Sequence, residues 1–185
     1  MSNQPQNPTA PNPPLSPELL ASLQQANRLM ANGKPAEAAP LFAQLAAQME
    51  ATRHPGRAAN LHARAAHAFA DAQAGQAALG QARSALNLFI ASQMVMRTPV
   101  FYANITRKLK NKGMLVAAKS LQQEYGGRIS AAPAQPAAAA PANHRGSLPT
   151  SCPKCGAPVH GREANWVDDS TAECDYCGAL IRAEA

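Results

Sequence analysis

The residues of this chain best suited to chemistry are four cysteines near its C-terminal end. They form two C-x-x-C pairs, and 18 residues separate the first pair from the second. Two such pairs at this distance are typical of one tetrahedral metal site, because each pair forms a tight turn that directs two sulfurs to one point. The spacing therefore predicts a single zinc ion held by Cys152, Cys155, Cys174 and Cys177.

The composition of this site indicates a structural ion rather than a catalytic one. Four thiolates complete the ligand shell of Zn²⁺, whereas catalytic zinc keeps one position open for water. Gly156 and Gly178 follow the second cysteine of each pair, where a sharp turn favours a residue that adopts positive φ without strain. A segment as short as residues 151–185 cannot fold on apolar burial alone, so metal binding should supply its folding free energy.

The residues around the cysteines predict a small β structure. Asp168, Asp169 and Ser170 are typical of a hairpin turn, and Trp166 is the largest ring available to cover the core. The predicted strands are 157–160, 165–167, 171–173 and 180–182. Together with the two cysteine turns, this segment resembles a zinc ribbon of the rubredoxin-like kind over about residues 151–183. The resemblance implies the same metal role for the four cysteines.

Three other interpretations of the cysteines remain open at this stage. Two disulfides are possible in principle, but residues 1–16 show no export signal that would place the chain in an oxidising compartment. Iron is also held by four cysteines, although rubredoxins usually have a longer gap between the pairs and a richer aromatic shell. The third interpretation adds His144 or His160 as a ligand, beside a set that four sulfurs already complete.

The region before the cysteines predicts six helices in three hairpins. Apolar residues recur at helical spacing from Leu19 onward, and the first helix opens at Ser16-Pro17, a good cap followed by a proline that suits the first helical position. The predicted turn glycines are Gly33, Gly75 and Gly113, with the last helix ending at Gly126-Gly127. Pro40 requires the second helix to begin late or to bend.

These hairpins resemble tetratricopeptide-type repeats, in which a small residue follows the turn glycine by five positions and an aromatic residue by nine. Ala38 and Phe42 match this pattern after Gly33, and Ala118 matches it after Gly113. Gln122 occupies the aromatic position, the middle hairpin needs a shift to align Ala82 and Leu86, and the family's early Trp and closing Pro are missing. The resemblance implies a helical-hairpin array that binds a peptide or helix in a groove.

The chain as a whole is predicted to be mainly α, with about six antiparallel helices, a linker and a small β zinc ribbon. Only 4% of the residues are aromatic, so the core must be built mainly from Ala and Leu, which suits closely packed helices. The predicted organisation is a disordered leader, a helical-hairpin domain, a flexible Pro/Ala linker and a zinc ribbon: 1–16, 17–125, 126–150 and 151–185. With no export signal and no apolar run of membrane length, we expect a cytoplasmic protein.

The charge distribution bears on the choice of partner. Residues 17–125 hold 12 Lys and Arg against 5 Asp and Glu, whereas residues 151–185 hold 3 against 6. The acidic tail would repel phosphate, so a nucleic-acid site would have to lie on the basic helical region. The fifth helix carries the densest group of cations, although they do not share one face: Arg107, Lys108, Lys110 and Lys112.

No pattern in the sequence indicates an enzyme. The chain has no phosphate-binding glycine loop and no H-E-x-x-H, and the carboxylates of residues 17–125 are scattered. His62 and His67 diverge by about 140° around a helix, too far to share a metal. We therefore expect a non-enzymatic, zinc-binding protein that acts through protein–protein contact. The alternative is association with RNA or DNA through the basic helical region.

Overall fold

The computed structural model describes residues 14–94, 97–130, 146–161, 164–168 and 170–184. It is mainly α with a small C-terminal sheet, as the sequence predicts. Among the described residues there are six α-helices and three short strands: α1 Pro17–Ala31, α2 Pro35–Ala51, α3 Pro55–Asp71, α4 Gly75–Ala91, α5 Arg97–Asn111, α6 Leu115–Ser130, β1 Asn165–Trp166, β2 Thr171–Glu173 and β3 Leu180–Arg182. None of these helices has the length and apolar character that a bilayer-spanning helix requires.

The helix starts follow the predicted capping chemistry. The Ser16 hydroxyl accepts a hydrogen bond from the backbone N–H of Leu19, and prolines occupy the first position of α1, α2 and α3. The second helix does not begin late, since it starts at Pro35 and Pro40 lies exposed inside it.

The turns between helices repeat with a period that the glycines alone do not reveal. Five turns contain a residue in the left-handed region, and these residues recur every twenty positions: Gly33, Arg53, Gln73, Gln93 and Gly113. Each helical hairpin is therefore a unit of forty residues. The fifth residue after every second turn is a buried alanine, Ala38, Ala78 and Ala118, which lets the helices approach closely.

The prediction that Gly75 is a turn residue is wrong. Gln73 takes the left-handed conformation with φ 60°, and Gly75 is the first residue of α4. A Cβ atom at Gly75 would come within 3.2 Å of the Met114 sulfur in the turn between α5 and α6. Gly75 therefore allows two turns to approach each other, and the apparent glycine spacings of 42 and 38 residues conceal a regular repeat.

The helices pack around two apolar clusters. Besides its hairpin neighbours, α3 packs against α5, and α4 packs against α6. One cluster contains residues of α3, α4, α5 and α6 and includes Leu86, Ile105 and Leu121. The other joins α1, α2 and α3 around Leu23 and Phe42, and it also contains the four cysteines, Ala157 and Ile181 of the tail. The tail is thus part of the same apolar core as the first three helices.

The described residues at both ends of the predicted linker belong to ordered elements. Helix α6 continues past Gly126 and Gly127 to Ser130. Residues 146–150 join the tail, since Ser147 and Glu184 exchange two backbone hydrogen bonds of 2.9 Å and Leu148 packs against the apolar cluster that contains the cysteines. The predicted leader lies almost wholly outside the described residues, although Leu15 packs against the helical core. Residues 131–145 also lie outside them.

The tail contains a three-stranded antiparallel sheet in the order β1-β2-β3. Trp166 pairs with Ala172, and Ala172 pairs with Ile181. The predicted strand 157–160 is wrong, because only an isolated bridge joins Ser151 to Pro158 there. The turn at Asp168 is present, and its Oδ1 accepts hydrogen bonds from the N–H and Oγ of Ser170. Trp166 is only half-buried, and the helices cover the cysteines instead.

Candidate metal centre

The four cysteine sulfurs converge on one point. All four lie within 4.8 Å of one another, and all four residues are buried free thiols. The Sγ atoms of Cys152 and Cys177 are 3.8 Å apart, as are those of Cys155 and Cys174. A zinc–sulfur bond of about 2.3 Å in a regular tetrahedron places the sulfurs about 3.8 Å from each other. The spacing therefore fits one tetrahedrally bound ion, and it is too long for disulfides.

Two equivalent backbone turns create this convergence. The N–H of Gly156 bonds to the carbonyl of Cys152 at 2.8 Å, and that of Gly178 bonds to the carbonyl of Cys174 at 2.9 Å. Both glycines have the expected positive φ, 74° and 73°. Within these turns backbone N–H groups bond to sulfur, from Cys155 to Cys152 and from Cys177 to Cys174. These donors offset thiolate charge, which favours metal binding.

Mutual hydrogen bonds among the four sulfurs change the pKa values of their thiols. Hydrogen bonds from Cys155, Cys174 and Cys177 lower the pKa of Cys152. The corresponding bonds with Cys152, Cys174 and Cys177 raise the pKa of Cys155, and burial adds to the rise. Four buried sulfurs cannot all carry charge without a cation, so this arrangement favours a bound cation.

Helix α1 fixes the first cysteine turn through two side-chain amides. Gln24 Nε2 donates to the carbonyl of Lys154, and Asn27 Nδ2 donates to the carbonyl of Cys155, each at 2.7 Å. Asn27 is buried, and its Cβ lies 3.6 Å from the Cβ that Gly156 would carry. These bonds join residues 130 and 128 positions apart in the sequence, and they hold the tail against the helical region.

Helix α3 places a buried cation beside the second cysteine pair. Arg57 is 3% exposed, and its Nη2 lies 3.7 Å from Oε1 of Glu173, which is also 3% exposed. Burial lowers the pKa of Arg57, whereas Glu173 and then the thiols of Cys177 and Cys174 oppose this shift. The Nε and Nη2 atoms of Arg57 have no hydrogen-bond partner in the described part of the chain.

Two further arginines of the helical region contact the tail. Arg97 at the start of α5 donates to Oδ1 of Asn60 at 3.1 Å and to Oδ2 of Asp175 at 2.7 Å. The guanidinium of Arg64 in α3 lies 4.8 Å from the Phe42 ring centroid and 5.8 Å from that of Tyr176. Its Nη2 donates to Oδ1 of Asn27, so the side chain that supports Cys155 also orients Arg64.

The tail and the odd-numbered helices enclose a cleft of about 520 Å³, which we call the α5 cleft. Arg64, Arg97, Val100 and Asn104 line its helical side. Pro158, His160, Asp175 and Tyr176 line its tail side. A second, smaller depression shares His67 and Asn104 with it and adds three polar residues of α5 and one of the turn that follows: Arg107, Lys108, Asn111 and Lys112.

In the described part of the chain no histidine joins the cysteine cluster, and there is no other group of three or more possible metal ligands. His62 is buried, more so than the sequence indicates, and it bonds to Gln81 and Glu50. His67 packs edge-on against Phe101, and burial together with Lys108 lowers its pKa to about 4. His160 is exposed, and His144 lies outside the described residues.

Asp71, the last residue of α3, partly neutralises the basic residues at the C-terminal end of α5. Lys108 bonds to Asp71 at 2.6 Å, and Lys112 lies 3.5 Å from the same carboxylate. Glu124 likewise pairs with Arg83 in a two-bonded arrangement. The sequence holds no Asp or Glu between Asp71 and Glu124. Both of these acidic residues engage cations of the basic region.

The sequence reasoning missed the supporting residues Gln24, Asn27, Arg57 and Arg64. One signal for Arg57 was available, because it lies in the first turn of α3, where the helix dipole disfavours a cation and where no acidic residue is present. The other three occupy ordinary helical positions and carry no local signal. No protein-family model, curated protein or solved structure matches this chain.

Proposed function

We propose that this chain is a non-enzymatic interaction protein in which one structural Zn²⁺, bound by Cys152, Cys155, Cys174 and Cys177, holds the C-terminal tail on a helical-hairpin array. The observation that carries this proposal is the set of four buried sulfurs at tetrahedral spacing. Four thiolates form a closed shell for Zn²⁺, which has no redox chemistry. When bound, the ion would supply folding free energy rather than reactivity.

The charge distribution supports docking of the tail on the helical region of the same chain. The net charge of −3 for residues 151–185 becomes −5 with four thiolates and one Zn²⁺, opposite in sign to residues 17–125. Arg57 and Arg97 bring positive charge from α3 and α5 to Glu173 and Asp175, which lie beside Cys174. Opposite charges at these contacts favour the docked arrangement over a detached tail.

The repeat architecture supports an interaction role. Stacked helical hairpins in other proteins present extended concave surfaces that bind partners, and the α5 cleft offers a depression between the hairpins and the tail. The repeat of forty residues is longer than the 34 residues typical of tetratricopeptide units. We therefore place the array among helical-hairpin repeats in general and the tail among four-cysteine zinc ribbons.

Hydrogen exchange with and without metal tests the proposed role of the ion. Removal of zinc with a chelator should raise exchange in α1 and α3, whose residues Asn27 and Arg57 contact the tail. Exchange in α6, which lies in the other apolar cluster, should change little and provides an internal control. Unchanged exchange in α1 and α3, or an equal rise in α6, would contradict a clamping role for zinc.

Nucleic-acid association is the second candidate, and the cations of α5 beside His67 favour it. Binding of this kind releases counterions, so affinity for a single-stranded RNA or DNA probe would fall steeply with salt. Two of these cations already engage Asp71, which supports the protein-interaction proposal. Steep salt dependence at sub-micromolar affinity would favour nucleic acid instead.

A further inference from the structure

We propose that the α5 cleft binds a short acidic peptide segment of a partner protein, with a peptide carboxylate paired to Arg64 and an aliphatic side chain against Val100. The inference rests on the proposed function in one respect, because the folded tail supplies one wall of the cleft.

Arg64 provides the anchor for an anion. Its guanidinium lies near the rings of Phe42 and Tyr176 and donates to the neutral amide of Asn27, so its position is fixed. None of its described contacts is with a carboxylate, and burial lowers its pKa. A desolvated guanidinium gains most from a bidentate carboxylate partner, and the adjoining cleft gives such a partner access.

Cations predominate among the charged residues that line the space around Arg64. Five Lys and Arg residues line the α5 cleft and its neighbouring depression: Arg64, Arg97, Arg107, Lys108 and Lys112. Asp175 pairs with Arg97, and Asp71 engages the two lysines. Arg107 is exposed and bonds only to Asn104 among its described contacts. The excess of positive charge complements an acidic segment and steers its approach.

The cleft also offers apolar surface of a kind that suits a peptide. Val100 is 45% exposed, and Met30, Ala63 and Pro158 line the same space. Phe89 and Phe101 are buried, so they present no open ring face on which a nucleobase could stack. A volume of about 520 Å³ accommodates a few side chains of an extended segment. These features favour an acidic peptide over a nucleic acid.

Because Pro158, Asp175 and Tyr176 form one wall, the peptide and the zinc ion should bind cooperatively. A ligand that requires the folded tail stabilises that tail, and by reciprocity it raises the affinity of the tail for zinc.

Selection from a library of random dodecapeptides on the zinc-loaded full chain tests the proposal. Selected peptides should be enriched in Asp or Glu beside Leu, Ile or Val. Arg64→Gln and Val100→Asp should each weaken binding of a selected peptide at least tenfold. The matched controls are Arg28→Gln on α1 and Val116→Asp on α6, both at exposed positions outside the cleft, and they should leave affinity within twofold.

Zinc content measured on every variant separates the two proposals. If the chain binds no zinc, the proposed function fails. If zinc is bound but no peptide is selected, the selected peptides lack acidic residues, or Arg64→Gln and Val100→Asp bind as well as their controls, the inference about the cleft is overturned. Competition by a single-stranded oligonucleotide at lower concentration than the peptide would also overturn it.

Discussion

The side chain of Asn27 donates a 2.7 Å hydrogen bond to the backbone carbonyl of Cys155, and its oxygen accepts a hydrogen bond from Arg64. One buried amide thus joins the first cysteine turn to Arg64, which lines the α5 cleft. Its two bonds provide hydrogen-bond partners for the carbonyl of Cys155 and the guanidinium of Arg64 where the tail packs on the helices.

Replacement of Asn27 by Ala should loosen the tail without abolishing metal binding. Loss of a buried hydrogen-bond partner costs about 1–3 kcal/mol. We expect faster hydrogen exchange around Cys155 to Ala157 and unchanged zinc stoichiometry. Gln25→Ala, at an exposed position on the same helix, is the control and should leave exchange unchanged. Equal behaviour of the two variants would show that the Asn27 bond does not hold the tail.

Arg57 should strengthen zinc binding through its charge. The ion with four thiolates carries a net charge of −2, and a buried guanidinium nearby stabilises it. We expect Arg57→Met to lower zinc affinity by about 10–100-fold, the range typical of residues that support metal ligands. Competition with a chromophoric chelator measures this change. Arg57→Lys should recover part of the affinity, because it keeps the charge.

The control for Arg57 is Arg28→Met, a change of the same type at an exposed site on α1. Zinc affinity that is equal for Arg57→Met and Arg28→Met would exclude an electrostatic contribution. Equal weakening by Arg57→Met and Arg57→Lys would point to packing instead of charge.

His67 should make stability fall in mild acid. Its pKa is lowered to about 4 in the folded chain, against 6.5 in the unfolded one, so the unfolded state takes up the proton first as the pH falls. The stabilisation is complete above pH 6.5 and is lost progressively down to pH 4, with an upper limit of about 3 kcal/mol. The difference in unfolding free energy between the natural chain and His67→Gln should change across this window. A constant difference would contradict the prediction.

Gln73 should gain stability when replaced by Gly. It adopts φ 60°, a conformation that costs a side-chain-bearing residue about 1–2 kcal/mol. Gln73→Gly should therefore raise the free energy of unfolding by up to about 1 kcal/mol, because the larger conformational entropy of glycine in the unfolded chain offsets part of the relieved strain. Gln76→Gly, three residues later inside α4, should lower it by a similar amount. Thermal denaturation measures both, and destabilisation by Gln73→Gly would contradict the assignment of Gln73 as the turn residue.

The sequence predicted the features that depend on local chemistry. The cysteine spacing predicted the cluster, and Gly156 and Gly178 predicted the two positive-φ turns. Helical periodicity and capping predicted six helices. Each of these signals comes from residues that are close in sequence, where steric and hydrogen-bonding preferences act directly.

The features that the sequence did not predict depend on distant contacts. Gly75 looked like a turn residue because Gly often ends helices, but its proximity to Met114 becomes visible only when the hairpins stack. Trp166 was expected to cover a separate small core, whereas α1, α2 and α3 cover the cysteines. The role of Asn27 likewise arises from packing between segments almost 130 residues apart, for which neither segment carries a local signal.

Elemental analysis combined with native mass spectrometry of the reduced full chain tests the metal centre most directly. Four convergent thiols predict one zinc ion per chain, retained through gel filtration and released by a thiol-modifying reagent. Cys174→Ser should lower the zinc content well below one ion per chain. Stoichiometric iron, or the absence of any stoichiometric metal from chains with four free thiols, would contradict the account.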